Sequence, residues 1–191
     1  MADRPSFEFA TVSAVTDRVW IGGDLSIHRS DLARQQADEL VEHGLTHVVD
    51  CRSELDDAVR WRRHPAVDYL NHPMDDAGQE VPDEWFDEAV EHLQTALLDP
   101  AAVVLTHCHA GVNRGPSLGF ALLLAEGWDP VEAIGRIRSA RLIAHTFYAE
   151  QALRWHHERT GTPAAQRRDE RAALTEWRRR HPVSLRHVMG R

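Results

Sequence analysis

The stretch VVLTHCHAGVNRGPS, Val103 to Ser117, gathers reactive side chains within a few residues. An apolar, β-forming run ends in Cys108, bracketed by His107 and His109, and Arg114 follows six positions after the cysteine. Ala110, Gly111 and, just past the arginine, Gly115 let the backbone curl tightly and turn successive N–H groups inward. With the positive end of a following helix behind it, the concavity formed by His109, Ala110, Gly111, Val112 and Asn113 suits a tetrahedral dianion such as phosphate. Arg114 adds a planar fork that matches two phosphate oxygens at once, which lysine does not. A cysteine in such a field is a nucleophile: at helix N-termini beside cations the thiol pKa falls to roughly 3.5–7.5, against about 8.5 when unperturbed.

The same residues raise other readings. Adjacent positions at a strand end point to opposite sides, so His107 and Cys108 do not readily chelate one ion. Two cysteines, Cys51 and Cys108, are too few for a disulfide framework or a zinc knuckle. Neither a metal nor a cofactor is expected. His109 is read as a rim residue able to touch substrate, His72 as a loop residue, and Ser117 as a first-turn helix residue.

The elements that must position these groups follow from periodicity. Phe7–Val12 and Val19–Ile21 read as strands closed by Gly22-Gly23. Ser30 reads as the N-cap of a helix through His43 that ends at Gly44. THVVDC, Thr46 to Cys51, and the run from Val67 to Leu70 read as buried parallel strands, with NHPMDDAGQE as the loop that follows. A helix opens at Pro82 with acids in its first turn and stops at Asp99-Pro100. Ala101–Thr106, apolar almost throughout, reads as a central strand, followed by a helix over Pro116–Glu126. Asp129-Pro130-x-Glu132 opens a further helix, and two more run over Thr146–Arg159 and Ala164–Arg180. Strands interleaved with helices make an α/β fold with a central, mostly parallel sheet flanked by helices. Ligands in such sheets bind beyond the carboxyl ends of the strands, where Cys108 falls.

Set in that strand–loop–helix context, HCHAGVNR resembles the His-Cys-x5-Arg signature of the protein tyrosine phosphatase superfamily, and Ala110-Gly111 favours its compact dual-specificity branch. The resemblance covers about Val12 to Leu153: VTDRVWIGG resembles the entry strands, GLTHVVDC the second central strand, and RSARLIAHTFYAEQAL the C-terminal region, where Arg141 and Gln151 match. It implies Cys108 as nucleophile, Arg114 and the loop as phosphate binders, and His107 as a residue ordering the loop. It also implies a general acid in YLNHPMDDAGQEVPDEWFDEAV, at Asp76 with Asp75 as the alternative. Cys51 is either a buried structural cysteine or, as in a phosphoinositide-phosphatase branch, the partner of a reversible disulfide with Cys108. One departure stands out: the family usually places Ser or Thr directly after the arginine, whereas Gly115 and Pro116 here precede Ser117, so either Ser117 reaches back to support the thiolate, or hydrolysis of the phosphoenzyme is slowed, or the protein binds more than it cleaves.

Composition narrows the rest. The 191-residue chain carries a net charge of −8, and all 22 of its basic residues are arginine. From Arg154 onward ten arginines face four acids, while the preceding residues carry a net of −14. The division predicts a domain over residues 1–160 and an Arg-rich helical extension over 161–191, either a solvated helix, docked on the acidic body, or bound to an acidic partner. An acidic body disfavours nucleic acid, and no apolar run reaches the roughly 20 residues of a membrane span. No signal-peptide pattern opens the chain, and a cytoplasmic setting is expected. The expected function is cysteine-dependent phosphomonoester hydrolysis through a cysteinyl-phosphate, on phosphotyrosine and/or phosphoserine/threonine in proteins. The alternatives are a phosphate-binding pseudophosphatase or a phosphoinositide or RNA 5′-phosphatase; oligomeric state is left open.

Overall fold

The computed structural model describes residues 4–183, so the end of the Arg-rich extension, 184–191, lies outside the described residues. Five strands, β1 (Val12–Ala14), β2 (Val19–Gly22), β3 (His47–Arg52), β4 (Asp68–Met74) and β5 (Val104–His107), form one sheet in the order β1-β2-β5-β3-β4. β1 is antiparallel to β2, and every other pairing is parallel. Among the described residues seven helices accompany it: α1 (Ser30–Glu42), α2 (Ala58–Trp61), α3 (Asp83–Leu97), α4 (Arg114–Ala125), α5 (Pro130–Ala140), α6 (Ala149–Thr160) and α7 (Ala164–Arg180). The expected α/β class with a mostly parallel sheet is what the chain adopts.

Strand alternation assigns the two faces. In β5, Val104 and, just past the strand, Cys108 belong to the core under α3, α4 and α6, while Leu105 belongs to the core under α1. β3 repeats the pattern: Val49 and Cys51 face the α4 side and Val48 the α1 side. Both thiols therefore share one face, whereas Asp50, Arg52 and His107 cluster with one another. α4 is buried over Arg114–Leu124, as a helix at the centre of a layered core must be.

Several boundaries differ from expectation for local reasons. Only Val12 of the Phe7–Val12 run enters a strand; Phe7 packs edge-on against Trp20 at 5.0 Å, and Glu39 accepts the amides of Phe9 and Ala10. Ser30 is the first helical residue of α1 rather than its cap, which is Arg29 without a side-chain bond, while Gly44 takes φ +98° after the helix as expected. β4 continues through Pro73, which its edge position tolerates, so His72 is a buried strand residue bonded to the Trp85 carbonyl (2.8 Å) and not a loop residue. The four-residue α2 has too few turns to leave a periodic signature. Asp129 caps α5 by accepting the amides of Val131 and Glu132.

The last helix is docked on the body. Leu174 of α7 is fully buried in the main core, and Glu170 takes the buried His157 of α6 (2.5 Å). Leu174→Ala is expected to cost about 2–5 kcal/mol, the range for emptying a buried leucine site. Urea denaturation checks it: one cooperative transition at a lower midpoint is expected.

Candidate active site

The loop after β5 is held open by its carbonyls. The His109 carbonyl accepts the Asp24 amide (3.1 Å), and the Val112 carbonyl accepts the amides of His145 (2.7 Å) and Thr146 (3.3 Å). Arg141 reaches the carbonyls of Ala110 (2.8 Å) and Gly111 (2.6 Å), and also that of Thr11 (2.9 Å). The Asn113 carbonyl accepts the Ser117 amide inside α4 (2.8 Å). With five successive carbonyls turned to outside donors, the N–H groups between them are free for the concave side; among the described residues, the amides of His109–Asn113 donate to no backbone acceptor. Gly111 sits at φ +63°, and a Cβ there would lie 2.4 Å from the Gly22 carbonyl carbon, so only glycine fits where the loop crosses β2. Cys108 is 2% exposed at the base of this loop.

Arg114, the first residue of α4, is gripped from two other strand ends. Its Nη1 and Nη2 each donate to a Glu54 oxygen at 2.7 Å, a bidentate pair, and Nη1 also donates to the Met74 carbonyl (3.0 Å). Its buried Nε has no hydrogen-bond partner among the described residues, with Asp76 Oδ2 3.6 Å away. That N–H and the loop amides are the donors left for an anion. Glu54, in the turn after β3, was not singled out in the sequence: nothing in RSELDD marks it, and only the fold brings it across. The hydrogen bonds from Arg114 hold its carboxyl down at about 2, against some 4.5 ordinarily, and the Glu54 pair in turn raises Arg114.

Of the two candidate acids, Asp76 faces the loop: its Oδ1 accepts from Asn113 Nδ2 (2.5 Å) and lies 3.5 Å from the Tyr148 hydroxyl. Asp75 turns away to accept from Ser53 (2.7 Å). The segment carrying both is fastened to α6 and its approach: the Gly78 amide donates to the Tyr148 hydroxyl (3.1 Å), the Val81 amide donates to Gln151 Oε1 (2.7 Å), and Gln151 Nε2 donates to the Gln79 carbonyl (3.2 Å).

Behind the loop lies a buried charge cluster. Arg52 is fully buried with its guanidinium 2.6 Å from Asp50, 2.7 Å from Asp57 and 3.2 Å from Asp24. Tyr69 donates to Asp50 (2.9 Å), and Arg60 pairs with Asp57. Asp24 also takes His109 Nδ1 (2.8 Å), tying the loop residue to the cluster. Asp50, Asp57 and His107 have the proximity of a metal site, but the Arg52 cation lies against both aspartates. His107, expected to order the loop through hydrogen bonds, has neither ring nitrogen bonded among the described residues; Nε2 is 3.7 Å from Asp50, whose oxygens Arg52 and Tyr69 already engage. Burial pushes its pKa down against the pull of Asp50, which keeps the ring neutral near pH 7. Cys51 and Cys108 are both free thiols, and burial followed by the Cys108 charge pushes Cys51 well up.

The Gly115 departure has a steric cause. A Cβ at 115 would lie 2.8 Å from the His107 carbonyl carbon and Cα, and 2.9 Å from the Thr106 carbonyl oxygen, so α4 starts too close to β5 for a side chain. Thr106 Oγ1 donates to the Gly115 carbonyl (2.8 Å) across that contact. The Ser117 hydroxyl bridges Asn113 Oδ1 (3.5 Å) and the Tyr148 amide (3.3 Å), serving the loop's flank.

A family model for the dual specificity phosphatase catalytic domain matches residues 30–154, and the chain belongs to that family. Dual specificity protein phosphatase 26 of Rattus norvegicus is 30% identical over 145 residues, covering 72% of this chain. Dual specificity protein phosphatase 13B of Homo sapiens is 29% identical over 131 residues, covering 66% of it. The aligned chain spans 65% of the length of each of these relatives. The crystal structure of PTPMT1 in complex with PI(5)P superposes with a TM-score of 0.65 at 17% identity, covering 79% of this chain and 97% of that one, a likeness of fold alone.

Two outcomes follow from the geometry. Gly115→Ser, which puts a hydroxyl where the family carries one, is expected to cost about 1–3 kcal/mol by overpacking, measured as a shift in denaturation midpoint. Because Glu54 titrates lower in the folded chain than the ordinary value, its contribution is complete above about pH 4.5 and is lost as pH falls toward about 2. Glu54→Gln removes that dependence, so the stability difference between wild type and variant is expected to narrow below pH 4.5 in denaturation series run at stepped pH.

Proposed function

We propose that the chain is a cysteine-dependent phosphomonoester hydrolase acting on phosphotyrosine and/or phosphoserine/threonine in proteins. One observation carries this reading: Cys108, the His109–Asn113 amides that donate to no backbone acceptor among the described residues, the Arg114 guanidinium and the Asp76 carboxyl lie together beyond the carboxyl ends of β3, β4 and β5. In the first step the Cys108 thiolate attacks phosphorus while the ester P–O bond breaks. The departing oxygen takes the bond's electron pair and a proton from Asp76. In the second step water attacks the cysteinyl-phosphate, gives a proton to the Asp76 carboxylate and displaces Cys108 as thiolate. The loop amides and the Arg114 guanidinium face the charge that spreads over the equatorial oxygens throughout.

Protein substrates are favoured by what the loop lacks: Ala110, Val112 and Asn113 supply no cation of the kind phosphoinositide phosphatases place there. The relatives named dual specificity protein phosphatases support the same class, while the PI(5)P bound to PTPMT1 keeps phosphoinositides in the test. Net charge of −8 is poorly suited to RNA. The long-range pairing of Cys51 with Cys108 remains part of the proposal, as a reversible disulfide shielding the nucleophile; intact mass after mild peroxide should fall by the two protons of one disulfide.

Turnover of an aryl phosphate, phosphopeptides and PI(5)P under reducing conditions tests the reading. Cys108→Ser is expected to abolish activity. Asp76→Asn should lower kcat by about 10²–10⁴-fold, more for phosphoserine than for a nitrophenyl ester, whose leaving oxygen needs a proton less. A Cys108→Ser variant that still turns over would remove the mechanism, and wild type that binds phosphopeptide without turnover would favour a phosphate-binding pseudophosphatase.

A further inference from the structure

The segment between α5 and α6, residues 141–148, touches nearly every part of the candidate site. Arg141 holds the carbonyls of Ala110 and Gly111, the His145 and Thr146 amides hold that of Val112, and the Phe147 amide donates to Asn113 Oδ1 (2.6 Å). Tyr148 reaches the acid-bearing turn at Gly78 and Gln79. Yet the segment is not regular structure. Its centre, the buried β-branched Thr146, sits at φ +51°, the single non-glycine residue at positive φ among the described residues. A left-handed threonine is unfavourable by itself and persists only where its surroundings over-determine it.

Part of that determination comes from α7. Arg138, near the end of α5, donates through Nε to the Ala144 carbonyl (2.8 Å), whose own peptide group carries the His145 amide that grips Val112. The same guanidinium donates through Nη1 to the His181 carbonyl (2.9 Å), immediately after α7, and lies over the Trp177 ring at 5.6 Å from its centroid. Trp177 is stacked on His181 (4.4 Å, 19°) and closes against Gly135 of α5. Burial with nearby Arg178 and Arg138 lowers His145, so its ring is neutral near pH 7 and does not repel the guanidinium beside it. Both α7 contacts lie outside residues 30–154, the part shared with the family.

We propose that the C-terminal helix is a positioning element of the anion loop, with Trp177 setting Arg138, Arg138 fixing Ala144, and residues 144–146 thereby holding Val112 and the amide ring in shape. This deepens the phosphatase reading, on which only its turnover measurement rests; oxyanion binding tests it separately. Trp177 is a positioning residue, remote from the reacting atoms, and a purely structural role would lower the melting midpoint alone.

The experiment compares full-length wild type with Trp177→Ala, Trp177→Phe and Arg138→Met, well below each melting midpoint. The readouts are calorimetric affinity for inorganic tungstate, and KM and kcat for an aryl phosphate. Trp177→Ala and Arg138→Met are expected to weaken tungstate binding and raise KM in parallel, by about five- to tenfold, with a smaller change in kcat; Trp177→Phe, which keeps an aromatic face, should restore most of the loss. If Trp177→Ala does not fold, Arg138→Met alone decides, since it removes the link while keeping an aliphatic stem under the Trp177 ring. Folded variants with wild-type tungstate affinity and KM, altered in melting midpoint only, would overturn the proposal. Wild type that binds tungstate without turnover would overturn the phosphatase reading and leave this one standing on the affinity shift.

Discussion

The outward turn of five consecutive carbonyls in the loop after β5 is the constraint on which the rest of the site depends. A backbone this tightly curled cannot satisfy its own acceptors, so each needs a donor from elsewhere, and the fold supplies them from α4, from Asp24 after β2 and from the 141–148 segment. Once the acceptors are met on the convex side, the donors have only the concave side left. The anion binding that the proposed function needs would then be a by-product of hydrogen-bond accounting rather than of a dedicated cationic pocket. On that reading one arginine at the helix start would suffice in a chain with no lysine and a net charge of −8.

The two-residue period of β3 and β5 does the second part of the work. It places Cys51 and Cys108 on the side covered by α4, in an apolar core, and gathers Asp50, Arg52 and His107 into a charged cluster of their own. The carboxylates of that cluster, Asp50 and Asp57, are thus engaged by Arg52, Arg60 and Tyr69. A buried cluster of this kind is expensive to desolvate and is tolerated because nearly every oxygen has a partner. Asp24, shared between Arg52 and His109, links the cluster to the loop surface.

Much of this was legible in the chain itself. The apolar run into Cys108, the small residues of the loop and Arg114 carried the loop, whereas the charge of the C-terminal helix left solvated, docked and partner-bound placements open, and only the burial of Leu174 in the core shows that α7 is docked. Asp76 over Asp75 needed the fold, because adjacent residues in a turn differ only in which way the backbone aims them. Glu54 was invisible for the opposite reason: an acid in an acidic turn has no local signature, and its partner lies 60 residues away. The polar Asp50 and Arg52 inside an otherwise apolar strand were a readable signal of a buried pair, since neither charge is tolerated there alone. Gly115 is an anomaly visible in the sequence, but its cause, the closeness of α4 to β5, is a distance that no sequence pattern encodes.

The attachment of the acid-bearing turn to Tyr148 and Gln151 carries one more consequence. A turn moored at Gly78, Gln79 and Val81 to a single rigid helix and its approach has little slack. Swinging it outward by several ångströms would sever three bonds at once and strand a phenol and a carboxamide. The carboxyl of Asp76, bonded to Asn113, is therefore held against the loop by the fold itself, with its turn tied to the approach and first turn of α6.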